Sequence, residues 1–156
     1  MLPLKHLFLA VIFSLVLYLI FPIIPLKYIG IIILSAVLID IDHYLYYVFK
    51  KRDFSLSSFK NAYRWFRETE RKTLLLPRKE REKVYGGFCF LHGVETLGVL
   101  LILGLTIAKT FFFIFIGFAF HLLTDIVHGT VYRDRIDRVS AVYDFFKFKN
   151  LRLINE

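Results

Sequence analysis

Five histidines and four carboxylates fall inside, or at the edge of, long apolar stretches: His6, His43, His92, His121 and His128, with Asp40, Asp42, Glu95 and Asp125. No Lys or Arg accompanies them within those stretches. An ionisable group in an apolar helix costs several kcal/mol when it faces lipid, so such groups face an interior and serve function. Imidazole and carboxylate without a basic partner form a donor set for a divalent metal, Zn first and Fe or Mn next, because the ion neutralises the acids. Up to nine donors allow one to three ions, with some side chains orienting ligands by accepting their second ring N–H.

Spacing sorts the nine. Asp40 and His43 are i,i+3 and share one helix face, as do His92 and Glu95. His121, Asp125 and His128 follow at i, i+4 and i+7, a single stripe. Asp42 lies off the Asp40–His43 line and is placed to ligate from the side or to hold a neighbouring imidazole. Counted from the nearest basic edge at 1.5 Å per residue, the groups on three helices lie roughly 8–18 Å deep, with His6 closer to the surface. The metal candidates are therefore His6, Asp40, Asp42, His43, His92, Glu95, His121, Asp125 and His128. His43, His92, His121 and Asp125 are the first choices as direct ligands, and Asp42 or Glu95 is the candidate general base.

The elements that must position them follow from hydropathy. The 156 residues are 57% hydrophobic and 18% aromatic, which excludes an ordinary soluble domain and a disordered chain. The single Cys89 excludes an intrachain disulfide. Apolar runs cover about residues 6–26, 28–49, 86–108 and 110–132. The first and second are separated by Lys27 and the third and fourth by Lys109. This predicts one all-α domain: an integral-membrane four-helix bundle built from two hairpins. A signal peptide over residues 1–26 is the weaker reading, since no small-residue cleavage site follows.

Charge sets the expected orientation. Residues 50–85 carry 12 Lys/Arg against five Asp/Glu, and the tail over 133–156 carries six against four. The positive-inside rule puts both segments and the N-terminus in the cytoplasm of a multi-pass cell-membrane protein. The net charge of +8 then reflects topology, and no nucleic-acid partner is expected. Within the insertion, Ser57 or Ser58 starts an amphipathic helix that Pro77 ends. Phe59, Tyr63, Phe66 and Leu74 lie along one face, Trp65 is expected at headgroup level, and Arg64, Arg67 and Arg71 are candidates to bind an anionic headgroup. The expected partners are the lipid bilayer and an anionic lipid or phosphoester; the pattern is compatible with a monomer or a homo-oligomer.

Asp40-Ile41-Asp42-His43 at the end of a span resembles the Asp-x-Asp-His motif of the membrane-bound metal-dependent hydrolases, the family that includes the LexA-binding inner-membrane hydrolase-like proteins. His6 matches that family's early His, His92 its His at the start of a later span, and His121 to Asp125 its His-x-x-x-Asp, followed here by His128-Gly129. The likeness covers most of the chain outside 53–85. Ile39 stands where the family has Pro, and Phe90 to Glu95 replaces its His-Arg-Gly signature, which marks a divergent branch. The donor set is also similar to those of zinc-dependent phospholipases C and single-strand nucleases. The resemblance implies phosphoester hydrolysis by metal-activated water. Rival readings from the residues alone are a di-iron oxidase or hydroxylase bundle, a metal or proton transporter, and a scaffold whose metal only joins helices.

Overall fold

The computed structural model describes residues 3–133 and 139–154; residues 134–138 and 155–156 of the expected tail lie outside the described residues. The chain is predominantly helical. Helix α1 (Pro3–Ile20) opens on a proline, whose fixed φ suits a first helical position, and it stops ahead of Pro22. Pro25 precedes α2 (Leu26–Leu38), which runs through a tight turn at Ile39–Asp40 into α3 (Ile41–Lys51). Arg52, left-handed at φ 52°, reverses the chain into α4 (Ser58–Leu75). There Asp53 accepts hydrogen bonds from Ser55 Oγ (2.6 Å), Asn61 Nδ2 (2.9 Å), Tyr47 Oη (2.9 Å) and the Ser55 amide (3.1 Å), which hold its carboxyl well below the usual carboxylate range.

The helix expected in the insertion forms and stops before Pro77, but it packs differently from its hydrophobic pattern. Ser58, Ala62 and Thr69 are its buried positions, and Trp65 and Phe66 join Tyr44, Tyr47 and Val48 of α3 in a small core. Phe59 is exposed and Trp65 is half-buried among Tyr46, Tyr47 and Phe66. Small residues win the inward face because α3 presents large aromatics that need room. Arg81 Nε and Nη2 then donate to Leu76 O (2.8 Å) and Leu74 O (2.9 Å), satisfying carbonyls at the end of α4. A short helix α5 (Arg78–Arg81) leads to β1 (Val84–Tyr85).

After an irregular stretch over 86–93, α6 (Val94–Thr106) and α7 (Lys109–Arg133) form the second hairpin. The expected third span, 86–108, is thus helical only over 13 residues, about 20 Å of rise against the ~30 Å hydrocarbon core. Leu26–Lys51 and Lys109–Tyr132 are long and apolar enough to cross a membrane; Leu4–Ile20 and Val94–Thr106 are apolar but shorter. Helix α8 (Ala141–Phe148) follows, with Ser140 Oγ accepting from Tyr143 N at 3.1 Å as its cap. Finally β2 (Arg152–Leu153) pairs in parallel with β1, Val84 with Arg152 and Tyr85 with Leu153. That clip joins the insertion to the tail, a contact absent from the sequence-based expectation.

Large apolar side chains such as Leu15, Leu19, Leu34, Ile102, Leu105 and Val127 are exposed, and beside buried Ile29, Ile32, Ala36, Ile39 and Leu122 the interior also holds His6, Ser14, Ser35, His92 and His121. The α2–α7 seam combines these with close backbone approach, as helices in apolar surroundings do. A Cβ on Gly117 would run into Ser35 Oγ and lie 2.5 Å from Ile32 O. Stacked Phe13–Phe120 (4.2 Å) and Tyr28–Phe113 (4.1 Å) flank the seam.

Gly117→Val is therefore expected to wedge α2 from α7 and lower stability by about 1–3 kcal/mol, as overpacking does. Gly98→Ala, where an added Cβ meets nothing within 4 Å, should raise it by about 0.5–1 kcal/mol through helix propensity. Thermal unfolding in detergent micelles checks both signs.

Candidate metal centre

The centre begins with the turn between α2 and α3. Asp40 N donates to Val37 O (3.3 Å), Asp42 N to Ile39 O (3.4 Å) and His43 N to Asp40 O (3.2 Å), so this turn is wound i→i+3. Two residues apart on a regular α-helix, Asp40 and Asp42 would point about 160° apart; at ~120° per residue they close to about 120°. The tight winding lets both carboxylates serve one interior site. Asp42 is fully buried, and Asp40 keeps a small exposure.

Four imidazoles are then fixed in one tautomer each by the partner of Nδ1. His92 Nδ1 donates to Asp42 Oδ2 (3.0 Å) and His43 Nδ1 to Asp42 Oδ1 (2.8 Å). His121 Nδ1 donates to Ala36 O at 2.7 Å, a carbonyl with no proton to offer. The Thr124 hydroxyl spends its hydrogen on His121 O (2.8 Å), so at 3.2 Å its oxygen accepts from His6 Nδ1. Each ring therefore presents Nε2 as a lone pair, the arrangement in which a second partner orients a metal-ligating histidine.

Those lone pairs converge. His92 Nε2 and His121 Nε2 are 3.1 Å apart. Asp40 Oδ1 lies 3.6 and 3.5 Å from them, and Asp125 Oδ2 lies 3.9 and 3.7 Å away. Metal–ligand bonds of 2.0–2.1 Å in a tetrahedron require donors about 3.3–3.4 Å apart, so all five separations, 3.1 to 3.9 Å, are close to that edge. Two imidazole lone pairs facing each other at 3.1 Å repel unless a cation lies between them. His92, His121 and Asp125 form one group of donors and His6, Asp40 and His121 another, and such nitrogen and oxygen donors suit Zn, Fe or Mn.

The remaining expected residues divide into those inside and outside this group. His6 does not sit above the site: its ring stacks on His121 with centroids 3.8 Å apart, and its Nε2 is 3.2 Å from Asp125 Oδ1. Asp42 also accepts from Leu91 N at 2.9 Å, giving three N–H donors on one carboxylate. Those bonds make it a positioner of rings. Cys89, not expected at the site, lies there too, its Sγ 3.4 Å from His43 Nε2. Its only sequence signal was a soft donor three residues before His92.

Glu95 does not join the centre and is corrected as both ligand and base. His92 lies in the irregular stretch, so the two are not on one helix face. The Glu95 carboxylate instead accepts from Ser140 Oγ, Ala141 N (3.0 Å) and Val142 N (3.3 Å), where the start of α8 presents unpaired N–H groups. His128 is also outside the group, its ring 4.9 Å from that of Tyr132. It continues the His121 stripe but lies about 10 Å further along the axis. Arg64 lines a surface groove with Tyr47, Lys51, Asp53, Asn61, Trp65 and Glu68, none of them a member of the centre. Arg67 and Arg71 are exposed on the same helix.

The chain matches no family model, no curated protein and no solved structure.

Removing the ring positioner and removing the outlying carboxylate should have separate effects. Asp42→Asn keeps every ligand yet is expected to weaken metal affinity 10- to 100-fold, as loss of an orienting partner does. Glu95→Ala should leave affinity unchanged and destabilise the start of α8 by about 0.5–2 kcal/mol, the worth of a helix cap. Metal titration reads the first, and amide exchange at Ala141 and Val142 reads the second.

Proposed function

We propose that this protein is a four-span membrane-embedded metal-dependent hydrolase that cleaves a phosphoester, of a lipid or another membrane-associated anion, at the cytoplasmic leaflet. The observation that carries the reading is the convergence on one another of His92 Nε2 and His121 Nε2, 3.1 Å apart, with Asp40 Oδ1 and Asp125 Oδ2 each within 3.9 Å of both. A bound divalent ion would supply Lewis acidity toward a phosphoryl oxygen and lower the pKa of a water. Asp42 holds two of the rings, and Ala36 O and Thr124 hold the other two. Asp40 and His43 keep the most exposure within the group, 13% and 16%, which supports approach from their side. Exposed apolar helix faces around a buried polar centre support the bilayer as surroundings. The basic insertion supports a cytoplasmic position for both the site and the termini. Arg64, Arg67 and Arg71 would act by attracting anionic lipid, at a distance from the ligands.

The di-iron alternative is weakened, because Glu95 turns to α8 and His92-x-x-Glu95 forms no pair of ligands. Elemental analysis of the purified protein beside His121→Ala/Asp125→Ala tests the proposal. Wild type is expected to retain divalent metal and to hydrolyse bis(p-nitrophenyl) phosphate or an anionic phospholipid in mixed micelles, with at least a 100-fold loss in the variant. Protein prepared without chelators that carries no metal would sink the reading, and iron in place of zinc would restore the oxidase reading.

A further inference from the structure

We infer that the centre is built for two ions, bridged by Asp40 and Asp125, and that His6 is the terminal ligand of the second. The inference rests on the metal reading above. Were His92, His121, Asp40 and Asp125 all to bind one ion, that site would be closed by four protein ligands, with no position left for water or substrate. A hydrolytic centre needs one.

The unused donors lie on the His6 side. His6 is 2% exposed, and its Nε2 has no hydrogen-bond partner. It stands 3.2 Å from Asp125 Oδ1, but out of line for a hydrogen bond, and its ring proton is committed to Thr124 through Nδ1. A lone pair and a carboxylate oxygen are thus held together in a buried place. Asp125 directs Oδ2 at the first tetrahedron and Oδ1 at His6. Asp40 likewise directs Oδ1 at the first set, while its Oδ2 is buried without a partner among the described residues. One ligand atom each from His6, Asp40 and His121 falls within 4.8 Å of the others. His6 Nε2 and Asp125 Oδ1, 3.2 Å apart, with the unpartnered Asp40 Oδ2 as the third, would give three protein ligands, which leaves coordination positions open.

Charge gives the ligand class. Two divalent ions against Asp40 and Asp125 leave a positive excess that Asp42, shared between two imidazoles, only partly offsets. A buried positive excess selects an anion, and two ions about 3.5–4 Å apart clamp the oxygens of a phosphoester. The group of Asp42, His43, Cys89 and His92 carries no further ion in this scheme, because Asp42 already accepts three N–H bonds.

The test is metal stoichiometry in detergent-solubilised protein after saturation with Zn(II) and desalting. Two ions per chain are expected in the wild type, one in His6→Ala and in His6→Gln, and none in His92→Ala/His121→Ala/Asp125→Ala. Saturation with Mn(II) gives a second readout. The wild type should lose the six-line signal of isolated Mn(II) through coupling of neighbouring ions, and His6→Gln should recover it while keeping the wild-type thermal unfolding profile. One ion in the wild type would overturn the two-ion inference and leave the metal reading standing. Two ions in both His6 variants would overturn the assignment of His6. No ion in any sample would overturn both.

Discussion

The acceptor opposite each histidine Nδ1 is the constraint on which the rest of the site depends. Asp42 holds two rings, Ala36 O a third and Thr124 a fourth. Each acceptor settles which nitrogen carries the proton and so turns a set of nearby imidazoles into inward-facing donors. The supports come from different parts of the fold. Asp42 depends on the tight turn after α2, Ala36 O on the register of α2 against α7, and Thr124 on the face of α7 that meets α1. Leu91 N, bonded to Asp42, ties down the irregular stretch that carries His92. A shift of one helix by a turn would release more than one ring.

That register is set by a few buried aliphatics, Ile29, Ile32 and Leu122, together with small residues. Gly117 admits the α2 backbone, Ser35 and Ala36 fill little volume, and the stacked aromatics Phe13–Phe120 and Tyr28–Phe113 lock the flanks. Close approach of small residues is how helices gain contact when their surroundings are as apolar as their side chains. Outside the bundle, α4 and α8 add amphipathic surfaces. Helix α8 exposes Val142, Phe145 and Phe146 and carries Lys147 over Tyr143 and Lys149 over Phe145, as an interfacial helix would.

Residue type carried most of the site into view before any coordinates. His, Asp and Glu in apolar helices without a basic partner are costly enough that their grouping followed from spacing alone, and seven of the nine do gather. The two that stand apart show what spacing misses. The stretch over 86–93 is as apolar as a span, so hydropathy extended α6 backwards through His92; Gly86, Gly87 and Gly93 were the available sign of irregular backbone. Glu95 was then paired with the wrong neighbour, since the N–H groups at the start of α8 cannot be seen in composition. His128 keeps the right face at the wrong height. The α4 face failed for a related reason: its inward residues are small, and a search for large apolar residues finds the exposed ones. The β1–β2 clip is two residues on each side, too short to leave a pattern.

The contact between His6 and Thr124 spans 118 residues, joining the first helix to the last of the bundle. At ~5–20 residues per second of synthesis, His6 precedes its partners by about 6–24 s. During that interval α1 carries a polar ring without its Thr124 partner. The ring's place in the first turn leaves it near the helix end, where water can serve as a temporary partner. Burial of the ring thus becomes coupled to the arrival of α7, and a chain truncated before Thr124 would contain a full hairpin yet no means of burying its own first turn. The bond that fixes this ring in the finished fold therefore forms only once the last helix of the bundle has been made.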